Sequence, residues 1–158
     1  MLGRAVLAGI LRHPAVLAAH AEALAQLAFA DRSHAALRDA LLEAAFTRQP
    51  LESAALPTIL AEAGLSDVAN GLRTPNGLAF SFLRGNADRT QAERDLAAAI
   101  RALAERPELD EALAAATKRL MASPDEAGFA EQRRARAARD EADRTLAALA
   151  QGDGGNGL

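Results

Sequence analysis

The sequence predicts an all-α protein: a helical bundle followed by a C-terminal antiparallel helical hairpin. Three observations carry this. Half of the 158 residues are hydrophobic, yet Trp and Tyr are absent and aromatics make up only 3%. A core of Leu, Ala and a few Phe suits close-packed helices and is poor material for strands, which favour β-branched and aromatic side chains. Apolar residues recur at three- and four-residue spacing, the period of one helix face. Prolines, glycines and capping residues then punctuate those stretches.

Residues 1–13 read as an amphipathic helix with Val6, Leu7, Ile10 and Leu11 on one side. The run from Ala5 to Leu11 is short for a secretory signal core, and Arg12-His13-Pro14 interrupts it where a signal stays apolar, which favours an amphipathic helix over a signal. Pro14 suits the first turn of a second helix, where its missing amide hydrogen costs nothing. That helix carries Val16, Leu17, Leu24 and Leu27. Asp31 or Ser33 can cap a third, which holds Leu37, Leu41, Leu42 and Phe46 and ends at Thr47 to Pro50. A fourth covers Leu51 to Ala63 around Leu56, Ile59 and Leu60, with Gly64 as its stop. Pro57 moves its start toward Leu56, because proline beyond the first turn breaks or bends a helix. A short fifth turn spans Ser66 to Leu72. Arg73-Thr74-Pro75-Asn76-Gly77 is a turn, and Leu78 to Leu83, with Phe80 and Phe82, reads as a short helix.

From Asp88 onward the helical pattern is strong. Leu96, Ile100 and Leu103 share one face, whereas Leu109, Leu113 and Leu120 form a second stripe nearly opposite the first. The change falls at Arg106-Pro107, so either a new helix starts there or one bent helix changes partners. Ser123-Pro124-Asp125 makes the next turn. The last helix runs to about Ala150 with a small inner stripe of Ala135, Ala138, Ala142, Leu146 and Leu149. Alanine lets the preceding helix approach closely, which predicts an antiparallel pair. The organisation expected is a bundle over 1–105, a docking hairpin over 106–150 and a disordered tail over 151–158. No internal repeat is visible.

The chemistry-bearing residues are sparse. A net charge of −3 argues against a generic polyanion-binding role. The absence of cysteine removes disulfides, thiolate nucleophiles and cysteine-ligated zinc, and fits a cytoplasmic protein. No stretch approaches the roughly twenty apolar residues of a membrane span. His13, His20 and His34 show no metal-pair spacing and read as structural. Neither a nucleophile elbow nor a phosphate-cradling glycine loop occurs. Glu93, Asp95 and Glu105 read as solvent-facing members of charged helix surfaces. No catalytic residue, cofactor site or metal site is assigned.

The densest feature is the charged run from Glu131 to Arg144. Its spacing allows the pairs Arg136–Asp140, Arg139–Asp143 and Asp140–Arg144, each worth a few tenths of a kcal/mol. Arginine supplies a planar donor fork and an apolar stem, both useful in protein interfaces. Interleaved acids and the lack of nearby aromatics weigh against nucleic acid. The candidate partner-binding residues are Phe129, Gln132, Arg133, Arg136, Arg139 and Asp143, with Phe129 as the anchor. Phe129 also reads as a core residue closing the hairpin turn.

The stretch Arg4-Ala5-Val6-Leu7-Ala8-Gly9-Ile10-Leu11-Arg12-His13-Pro14-Ala15-Val16-Leu17 resembles the opening of the C-terminal domain of bacterial DnaG-type primases. The similarity continues through Ala21-Glu22-Ala23-Leu24, Leu37-Arg38-Asp39-Ala40-Leu41-Leu42 and Leu60-Ala61-Glu62-Ala63-Gly64-Leu65; beyond these the match is one of layout. The resemblance implies a non-catalytic domain that docks on the N-terminal domain of the replicative DnaB-type helicase, recruiting priming to the fork and modulating it. It implies no direct nucleic-acid or membrane partner, and no polymerase chemistry in this chain. Pro107 departs from the family's long helix, which is expected to run unbroken. Two other readings stand beside it. One is an all-α ligand-binding regulatory domain with a Leu- and Phe-lined cavity; the other is the related N-terminal domain of a replicative helicase.

Overall fold

The computed structural model describes residues 1–48, 51–73 and 80–151. Among these it is all-α, with seven helices and no strand: α1 (Leu2–Arg12), α2 (Val16–Ala25), α3 (Arg32–Thr47), α4 (Leu56–Glu62), α5 (Ser66–Arg73), α6 (Arg89–Ala122) and α7 (Glu126–Gln151). A single 3₁₀ turn, Ser81–Leu83, lies between α5 and α6. The expected turn after Arg73, residues 78–79 of the expected short helix, and the tail from 152 lie outside the described residues, as do residues 49–50.

The first helix differs from its expected one-sided pattern. Every residue from Ala5 to Leu11 is buried, so α1 is enclosed on all sides rather than lying on the surface with one face wet. Small residues explain the difference. Ala5, Ala8 and Gly9 stand away from the large side chains and let neighbouring elements close over that side. A Cβ at Gly9 would lie 2.7 Å from Leu96 Cδ1 and 2.9 Å from the Phe82 ring, both fully buried. Around α1 stand α3, α5, the 3₁₀ turn and the first half of α6.

Local chemistry sets the ends of the surrounding helices. Pro14 sits in the turn before α2, where its carbonyl accepts the Leu17 amide at 3.1 Å. Within α2, His20 leaves helical geometry (φ −127°, ψ 17°). Asp31, not Ser33, caps α3: its Oδ1 accepts the Ser33 amide at 2.8 Å. Phe46 is a correction, being 71% exposed. The core side of α3 runs through Leu37, Leu41, Ala44 and Ala45, and Phe46 lies about 140° round the helix from Leu41. Helix α4 starts at Leu56 with Pro57 in its first turn, where proline is tolerated. It stops at Gly64, whose φ of 72° needs no Cβ; the Leu65 amide then reaches the Leu60 carbonyl at 2.8 Å.

The core joins α1 to α5, the 3₁₀ turn and the first three turns of α6, through Ala92, Leu96, Ala99 and Ile100. Asp88 caps α6 by accepting the Gln91 amide at 2.9 Å. Of the two alternatives at Pro107, the structure has the single helix, with α6 running 34 residues to Ala122 and Pro107 inside it. Helix α7 then returns antiparallel: Glu131 stands opposite Arg119, Arg139 opposite Asp110, and Asp143 opposite Arg106. Asp125, the last residue of the expected turn, supplies its first-turn cap, accepting the Gly128 amide at 2.6 Å.

Candidate protein-docking surface

Helix α7 has to satisfy two demands along its length. Near its C-terminus Leu146 is buried and Leu149 packs on the main core, while Arg84 donates to the Gln151 carbonyl at 3.2 Å. Toward its N-terminus there is no main core to meet, only the second half of α6. Contact there rests on small residues: Ala116 is buried, Ala135 and Ala142 are half-buried, and Gly128 sits against Leu120. Ala138 corrects the expected inner stripe. It is exposed, at the rim of an open groove with Ala98, Arg101, Leu109 and Thr145. The inward register steps from Ala135 through Arg139 to Ala142 and Leu146, leaving Ala138 to one side.

Charged side chains stitch this stretch together. Arg139 pairs with Asp110 across the helix gap at 2.9 Å and with Asp143 on its own helix. Arg106 reaches Asp143 at 3.7 Å and Asp110 at 4.0 Å, closing a four-membered network beside Pro107. Nearer the tip, Arg119 Nη1 donates to both Glu131 oxygens at 2.7 and 2.8 Å. Of the intrahelical pairs expected from spacing, Arg139–Asp143 forms, and Arg144 turns to Glu141 at 2.6 Å instead of Asp140.

The six residues singled out from the sequence therefore divide. Arg139 and Asp143 are engaged inside the α6–α7 pair. Gln132 is half-buried at its edge. Phe129, Arg133 and Arg136 face outward: Phe129 is 52% exposed, so it does not close the turn as a core residue, and both arginines are exposed. Spacings of four and three residues put these three on one side of α7. Met121 at the end of α6 is also exposed, as is Arg134, about 140° round α7 from Phe129. Met121 is legible only once the second stripe of α6 is known to face α7, since it lies one residue past Leu120 and so points outward.

Elsewhere the polar residues have structural employment. Asp95 is a correction to its solvent-facing reading: half-buried, it accepts the Ser81 hydroxyl at 2.5 Å, tying the 3₁₀ turn to α6, and the Gln91 side-chain Nε2 at 2.7 Å. Burial, with the Arg101 guanidinium nearby, holds the His20 imidazole below its ordinary pKa. The Asp31 carboxyl is held below its ordinary range, chiefly by the Ser33 hydroxyl. Among the described residues no cluster of His, Asp or Glu could hold a metal ion, and no helix is long and apolar enough to cross a membrane. No family model, curated protein or solved structure matches the chain.

Proposed function

We propose that the chain is a non-catalytic docking domain of a bacterial DNA primase, and that α7 with the end of α6 engages the N-terminal domain of a DnaB-type replicative helicase. One observation supports docking above all. The α6–α7 pair meets its own needs through inward alanines and cross-helix ion pairs, while Phe129, Arg133 and Arg136 stand outside that accounting on one exposed side. Aromatic and arginine side chains are the types that concentrate binding energy in interfaces. The choice of partner rests on the primase-like residues of the first half. Recruitment at the replication fork is the physiological role that follows, and binding rather than chemistry is the mechanism.

The ligand-binding reading calls for an enclosed apolar cavity. The groove beside Pro107, lined by Leu27, Phe29 and Leu103, is partly open to solvent and is not the enclosed cavity that reading calls for.

The test is a titration of the full chain against its cognate replicative helicase by calorimetry. Wild type should bind, and Phe129→Asp should weaken binding at least about tenfold, as expected for a central anchor. Exposure of Phe129 predicts an unchanged melting temperature for that variant. Undiminished binding by Phe129→Asp would remove the assigned surface; no binding by wild type would remove the partner. Truncation before α7 is a poorer test, because it strips Leu146 and Leu149 from the structure.

A further inference from the structure

We draw no further inference here: the strongest candidate, the partly open cleft between the 3₁₀ turn, the start of α6 and the last turns of α7, has polar lining spent on internal contacts, Ser81 and Gln91 on Asp95 and Arg84 on the Gln151 carbonyl, and nothing in the structure shows what would fill it.

Discussion

At the scale of single residues, Gly9 and His20 make opposite demands on their surroundings. Gly9 owes its identity to space: the Leu96 methyl and the Phe82 ring occupy the volume a Cβ would need, and neither can move toward solvent. Overpacking of this kind costs about 1–3 kcal/mol, offset in part by the roughly 1 kcal/mol that alanine gains over glycine in a helix. Gly9→Ala should therefore lower stability by up to about 2 kcal/mol, seen as a reduced urea midpoint. His20 owes its behaviour to charge. Burial first, and Arg101 second, disfavour its protonated form, so its folded pKa lies below the ordinary value near 6.5. The unfolded chain takes up the proton more readily, so the stability held by neutral His20 is complete above that value and is lost as pH falls below it. Melting temperature should fall between about pH 7.5 and about pH 5.5, and His20→Gln should flatten the slope. Asp31 acts in the same direction in a separate window below its ordinary value of 3.8, so the two are separable.

At the scale of elements, Pro107 is the oddity, a proline inside a continuous 34-residue helix. Interior proline costs about 3 kcal/mol relative to alanine, of which about 1 kcal/mol is returned by restraint of the unfolded chain. Pro107→Ala should raise stability by about 2 kcal/mol, measured as a higher denaturant midpoint; a lower one would mean the helix depends on its proline. Helix ends were legible from sequence where a side chain or ring acts on its own backbone, as at Asp31, Pro57, Gly64 and Asp88. The all-round burial of α1 was not, because alanine and glycine carry little signal about which side is covered. The same contrast holds at the candidate docking surface. Outward placement of Arg133 and Arg136 follows from helical periodicity within α7. Engagement of Arg139 and Asp143 depends on Asp110 and Arg106, far away in the chain and aligned only by the packing of two helices.

At the scale of the whole molecule, α7 is anchored at one end and offered to solvent at the other. Leu146 and Leu149 hold its last turns to the rest of the protein, so Leu146→Ala should cost about 2–3 kcal/mol. Hydrogen exchange should then quicken first in the C-terminal half of α7, and uniform acceleration across the chain would contradict this division. The enclosure of α1 has a further consequence, in the order of synthesis. Arg4 and Arg12 reach carbonyls of Gly71 and Leu83, some seventy positions onward, and Leu96 comes later still. At about 5–20 residues per second, the ribosome releases this oily N-terminal segment several seconds before its wrapping exists. For that interval a stretch that ends fully buried, Ala5 to Leu11, stands exposed, and transiently exposed apolar surface of this kind favours aggregation until α5, the 3₁₀ turn and α6 close over it.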